Sequence, residues 1–244
     1  MAAPAIELRG LGHRYGEVTA LRDVDLTIER GEVFGFLGHN GAGKTTTVNI
    51  LTTLVRPTSG TAAVCGHDVV ADRAAVTGRI GYLPSEVRMY GHLTASENLE
   101  FLATLSGVAN PRRAARGTLD FLGCSDLADR RLRTFSTGMR QRVGIAQAIV
   151  HRPDVLFLDE PTAGLDPFGV RALRETVQRL NAELGMTVFM NTHLLSEVAR
   201  VCTTIGVLNH GELVYKDSIE ETTRHFPDEA SLEDIYLRMG GAPA

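Results

Sequence analysis

The 244-residue sequence predicts an α/β fold, a largely parallel sheet with a helical lobe inserted in it, and three observations carry that prediction. Val33–Leu37 and Val155–Leu158 are continuous apolar runs, the pattern of strands buried on both faces. Each run is followed by a stretch with helical spacing. Val48, Leu51 and Val55 follow the first, and Leu173, Val177, Leu180 and Leu184 follow the second. Between these two units, residues 94–150 contain helical patterns and no convincing strand.

The elements are read in chain order. Ile6–Leu11 is a strand, and Val24–Ile28 is a half-exposed one in which Val24, Leu26 and Ile28 alternate with Asp25 and Thr27. After Val33–Leu37 a helix covers 44–55 and stops at the turn-forming RPTSG, residues 56–60. Thr61–Cys65 and Ile80–Leu83 are further strands. Thr94 and Glu97 make the Thr-x-x-Glu capping pattern ahead of Leu99, Leu102 and Leu105, which opens a helix over 95–106. Two more helices span 112–123 and 137–150. Gly185 can end the helix that carries Leu173 to Leu184 by taking the left-handed conformation. Thr187–Asn191 returns as a strand, a helix covers 194–202, a hairpin turns at Asn209–Gly211, and a short helix opened by Ser231 and Asp234 follows. The expected organisation is one domain over 1–244: a catalytic α/β core with a β subdomain (about 1–84 and 151–215), a helical subdomain (85–150) and a short tail (216–244).

Composition narrows the function. Apolar residues make up 43% and charged residues 22%, enough apolar material for a sizeable core. A formal charge of -4 carries no basic excess, so nucleic acid is not an expected partner. Cys65, Cys124 and Cys202 lie far apart and fit neither a disulfide framework nor CxxC metal spacing, which points to a reducing cytoplasm. MAAPAIELRG at the start lacks the basic-then-apolar pattern of a secretion signal, and no run approaches the roughly 18 apolar residues of a membrane span.

The strongest chemical signal is GHNGAGKT, Gly38–Thr45, which satisfies G-x-x-x-x-G-K-[ST] between a buried strand and a helix. Gly38, Gly41 and Gly43 allow the tight turn, and the loop's successive N–H groups, with Asn40 and Ala42 among them, converge on a phosphate at a helix start. Lys44 bridges β- and γ-phosphates in such loops, the Thr45 hydroxyl ligates Mg²⁺, and Thr46 is assigned to an α-phosphate oxygen. His39 occupies a variable position within the loop. The second signal is VLFLDEPTAGLD, Val155–Asp166, where a buried strand ends on two carboxylates. Asp159 is assigned to the hydration shell of the metal, and Glu160 to polarising a water for in-line attack on the γ-phosphate.

With TFSTGMRQRVGIAQAIVHRPDVLFLDEPTAGLD (134–166), HRYGEVTAL (13–21), GYLPSEVRMYGHLTASENL (81–99) and NTH (191–193), the sequence resembles the ATP-binding-cassette ATPases, the nucleotide-binding subunits of ABC transporters, over nearly its whole length. The resemblance implies a P-loop, RecA-like core with an antiparallel β subdomain and an inserted α-helical subdomain. It implies that Tyr15 stacks on adenine, that His193 contacts the γ-phosphate, and that Asp166 acts across a dimer. Ser136, Thr137, Gly138 and Met139 match the family's signature, which closes over the ATP held by a second, head-to-tail subunit. ATP and Mg²⁺ are the implied cofactors, a second ATPase subunit and transmembrane permease subunits the implied partners, and the inner face of the cell membrane the implied location. The stretch 82–99 and the terminal SLEDIYLRM are most similar to exporters of antibiotics and drugs. The alternative is a soluble cassette ATPase working in translation, repair or iron–sulfur assembly.

This chain departs from the family pattern in two places. Phe135, Thr137 and Met139 replace the Leu, Gly and Gln of the usual signature. After GYLP, where the family carries a Gln that touches the metal or the attacking water, stand Ser85 and Glu86; Glu86 is the candidate substitute ligand.

Overall fold

A computed structural model describes residues 3–226 and 232–238. Two sheets organise it. The smaller is antiparallel, with strand order β2-β1-β4-β5, built from β1 (Ile6–Tyr15), β2 (Val18–Ile28), β4 (Ser59–Val64) and β5 (His67–Asp68). The larger has the order β10-β9-β3-β8-β7-β6, from β3 (Val33–Leu37), β6 (Ile80–Leu83), β7 (Val155–Asp159), β8 (Thr187–Asn191), β9 (Thr204–Asn209) and β10 (Glu212–Ser218). Its strands are parallel except β10, which pairs antiparallel with β9 at one edge.

Every residue of β3, β7 and β8 is buried, as continuous apolar runs require. Period-2 alternation divides their side chains between two cores. Phe34, Phe36, Phe157 and Phe189 face the small sheet, with successive ring centroids 5.2–6.0 Å apart, beside Ile6, Leu11, Val48 and Leu51. Val33, Leu37, Leu156, Leu158, Val188 and Met190 face the other way into a second cluster that takes in the helical lobe. Each buried Phe contributes about 1.5–3 kcal/mol to the core shared by the two sheets.

The helices are α1 (Lys44–Leu51), α2 (Arg73–Thr77), α3 (Ala95–Leu105), α4 (Pro111–Phe121), α5 (Thr137–Ile149), α6 (Pro167–Leu184), α7 (Leu195–Val201), α8 (Ile219–His225) and α9 (Leu232–Arg238). The capping box of α3 forms as read: Thr94 Oγ1 accepts from Glu97 N at 3.2 Å, and Thr94 N donates to Glu97 Oε2 at 2.8 Å. Gly185 ends α6 at φ 64.

The structure corrects several element boundaries. β1 and β2 extend to meet at the Gly16–Glu17 turn, because register shifts near Leu11 and His13 let the pair continue past the point where alternation fails. Helix α1 stops at Leu51 rather than 55, where Thr53 takes φ 64. The short elements β5, α2 and α8 have too few residues for periodicity to show. Ser231, read as the cap of the last helix, lies outside the described residues. All three cysteines are free and buried. Among the described residues no helix is long and apolar enough to cross a membrane.

Candidate active site

The glycine loop joins β3 to α1, and its conformation follows from close backbone approach. Gly41 and Gly43 take φ 84 and 110. A Cβ at Gly43 would lie 2.5 Å from Ala20 O, and one at Gly38 would lie 2.5 Å from Leu208 O, so the loop is pressed between β2 and β9. Gly211 N, in the β9–β10 turn, donates to Ala42 O at 2.9 Å and fixes the loop from behind. Lys44 is buried, and its Nζ donates to the carbonyls of Gly38 at 2.6 Å and His39 at 3.1 Å. Burial lowers the pKa of this ammonium, against the raising influence of Glu160 and Asp159. Thr45 begins the exposed side of α1, and Thr46 is half-buried beside it.

Asp159 ends β7 at the carboxyl edge of the parallel sheet, where ligands of open α/β sheets bind. It is buried, and Asn191 Nδ2 donates to its Oδ1 at 2.6 Å. Burial pushes its pKa up, opposed by that hydrogen bond. Burial, with the Asp159 charge adding to it, also pushes the neighbouring Tyr82 phenol up to about 12. Glu160 leaves the strand in the left-handed region, at φ 47, its N–H donating to Asn191 O at 2.8 Å. That turn separates the two carboxylates: Asp159 faces Asn191, whereas Glu160 Oε2 lies 2.7 Å from His193 Nδ1.

Gly38, His39, Asn40, Glu160, Thr192 and His193 line one cavity of about 470 Å³. The residues there fit a triphosphate with a hard divalent cation. The adjoining cradle offers backbone N–H groups and the desolvated ammonium of Lys44, which feels the charges of Glu160 and Asp159. Nε2 of His39 and Oδ1 of Asn191 are buried polar atoms without a protein partner. Among the described residues no three His, Cys, Asp or Glu side chains cluster as metal ligands. Such a site suits Mg²⁺, which takes one or two carboxylates and completes its shell with phosphate oxygens and water.

The structure does not bring every expected residue to this cavity. Ser136 caps α5, its Oγ accepting from Met139 N at 3.3 Å, and with Gly138 and Met139 it lines a separate cavity of about 280 Å³ beside Leu165, Phe168 and Gly169. Thr137 is the first residue of α5. Asp166 caps α6, accepting from Gly169 N at 2.7 Å. Tyr15, 49% exposed, ends β1 with its ring edge-on to His13. Glu86 and Ser85 are exposed and line neither cavity, and the Glu86 carboxylate is already paired with Arg88 at 2.9 Å.

Sequence reasoning passed over two polar residues that organise the site. Asn191 stood inside the NTH motif but received no role. Gln141, in the signature helix, donates through Nε2 to Pro161 O at 2.8 Å and ties α5 to the segment after Glu160. A polar residue at a buried position of a helix is the signal that would have found it.

The strand–loop–helix cradle, the carboxylate at the end of a neighbouring strand and the histidine beside the next strand define a P-loop nucleoside triphosphatase. The ABC transporter family model matches residues 21–163. The daunorubicin/doxorubicin resistance ATP-binding protein DrrA of Streptomyces peucetius is 41% identical over 240 residues, covering 98% of this chain and 71% of that protein. Among solved structures, cbiO1 from Clostridium perfringens, part of the ABC transporter complex cbiONQ, superposes with a TM-score of 0.85 at 26% identity, covering 98% of this chain and 96% of the other. The dimeric post-hydrolysis state of the ATP-binding cassette MJ0796, bound to ADP and Pi, gives 0.77 at 27% identity, covering 88% and 98%. The chain belongs to the ABC transporter family, as its ATP-hydrolysing subunit.

Proposed function

We propose that this ATPase works as a head-to-tail dimer that closes on two ATP molecules and drives efflux of a drug, antibiotic or lipid-like compound through separate transmembrane permease subunits at the inner face of the cell membrane. One observation carries the reading. Lys44, Asp159, Glu160 and His193 gather at one site, while Ser136, Gly138 and Met139 line another cavity of the same copy. The phosphate-binding potential of the α5 start is therefore left to a nucleotide held by a second copy. The dimeric likeness and the drug-resistance relative support this over a soluble role.

In this reading the loop N–H groups and Lys44 hold the β- and γ-phosphates, Thr46 the α-phosphate, and Tyr15 the adenine. Thr45 and Asp159 would hold Mg²⁺, which neutralises phosphate charge when bound. Glu160 accepts the proton of the attacking water. The Glu160–His193 bond, with Nδ1 donating, leaves Nε2 of His193 available to the γ-phosphate. Phe168, which is 84% exposed, lines the signature cavity, and it and Asp166, the cap of α6, meet the second copy. The core and β subdomain (1–84, 151–215) bind nucleotide, the helical subdomain (85–150) meets the permease, and 216–244 is a short C-terminal tail.

The test is Glu160→Gln with Mg·ATP, followed by size-exclusion chromatography with light scattering. Turnover is expected to fall by more than about a hundredfold while a dimer accumulates. A chain that stays monomeric under saturating ATP overturns the sandwich.

A further inference from the structure

Helix α9 reaches the cavity that the glycine loop also lines. Tyr236, in α9, lines that cavity together with Glu160 and His193. The same helix packs along α7, into which His193 leads. Helix α7 is seated on its other sides by two specific contacts. Glu197 receives a forked pair of hydrogen bonds from Arg174 of α6, at 2.8 and 3.0 Å. Gly35 of β3 leaves the groove that Val198 and Cys202 fill, where a Cβ would lie 2.7 and 3.0 Å from their side chains. Helix α9 supplies the remaining wall. It buries Ile235 and sets Leu232 and Tyr236 against the cluster that also receives Leu195 and Val201. His193 itself is 64% exposed, with its ring nitrogen on Glu160, so its placement depends on how α7 sits. Burial pushes the Tyr236 phenol above its ordinary pKa, in keeping with a ring packed against apolar side chains.

We infer that Tyr236 is a positioning residue for hydrolysis: its ring closes the cavity behind Glu160 and His193 and holds the 192–195 segment in place. The C-terminal helix thereby sets turnover. The inference rests on the reading that ATP is hydrolysed in this cavity. Of the loop residues, only Gly38, His39 and Asn40 share the cavity with Tyr236, and residues 41–46 do not. Its removal should therefore act on kcat and leave KM for ATP nearly untouched.

The experiment measures steady-state ATPase of the full chain for Tyr236→Ala, Tyr236→Phe and Leu237→Ala, with amide hydrogen exchange followed in parallel. Tyr236→Ala is expected to lower kcat about tenfold, with KM within about twofold, because a displaced His193 loses alignment. Exchange should quicken in 192–201 and stay unchanged in 38–46. Tyr236→Phe should restore kcat to near wild type, and Leu237→Ala, on the exposed face of the same helix, should leave it unchanged. An unchanged kcat in Tyr236→Ala overturns the inference. So does a loss that Leu237→Ala reproduces, or one that comes with equal weakening of nucleotide binding or general unfolding. Glu160→Gln in the same assay keeps the two questions apart: if it retains turnover, the assignment of the cavity has failed, whatever Tyr236 does.

Discussion

Asp159 and Asn191 face each other across the parallel β7–β8 pair, and Asn191 Nδ2 donates to Asp159 Oδ1 at 2.6 Å. The bond orients a carboxylate that burial alone would rather protonate. With the folded pKa raised above the unfolded one, ionised Asp159 carries a stability penalty at neutral pH, which disappears as pH falls below the unfolded pKa. Asp159→Asn keeps an acceptor for Asn191 and removes the charge. Its expected effect is opposite for stability and for function. The nucleotide-free protein gains about 1 kcal/mol, about 2–4 °C in melting temperature for a chain of this size, while Mg²⁺-dependent turnover is lost. Differential scanning fluorimetry beside a phosphate-release assay checks both; a lower melting temperature counts against the desolvation argument.

The Arg174–Glu197 pair makes a second prediction. The side chains are only 23% and 11% exposed, and the guanidinium reaches both carboxylate oxygens. Glu197→Ala leaves that guanidinium half-buried and unpaired, at a cost of about 2–3 kcal/mol in urea unfolding. Replacing both partners by apolar residues, Arg174→Met with Glu197→Leu, should recover most of the loss. If the double variant is as unstable as the single one, the cost does not come from the orphaned guanidinium, and the ion pair itself holds α7 to α6.

How far the sequence foretold these contacts depends on their range. Buried runs such as Val155–Leu158 and caps such as Thr94–Glu97 are local, and they appear where pattern reading places them. The fused β1–β2 hairpin was hidden because its register shifts break the alternation on which strand reading relies. At the site, the glycine loop was legible because its spacing is a backbone requirement. Asn191 and Gln141 were not: each matters through a partner 32 or 20 residues away, Asp159 or Pro161, and no periodicity marks such a pairing. The exposed Glu86–Arg88 pair was equally invisible, since side chains two residues apart carry no periodic signal.

Gly81 supplies the last prediction, because it is where the helical lobe rests on the sheet. A Cβ there would lie 2.2 Å from Ala148 O and 3.0 Å from Ala148 C, both backbone atoms near the end of α5 that no rotamer change can move. Gly81→Ala must therefore push α5 away from β6, at about 2–3 kcal/mol. The other end of α5 carries Ser136, and Gln141 ties the helix to Pro161, so the shift reaches the signature before it reaches the glycine loop. Turnover should fall while the affinity of the isolated chain for a fluorescent ATP analogue stays within about twofold, since the strain is confined to the lobe. Gly78→Ala is the control just before β6: its Cβ would meet nothing closer than 3.6 Å, so the substitution should be neutral or slightly stabilising. Equal effects from the two alanines would show that chain stiffness, not the seat of α5 on β6, sets the response.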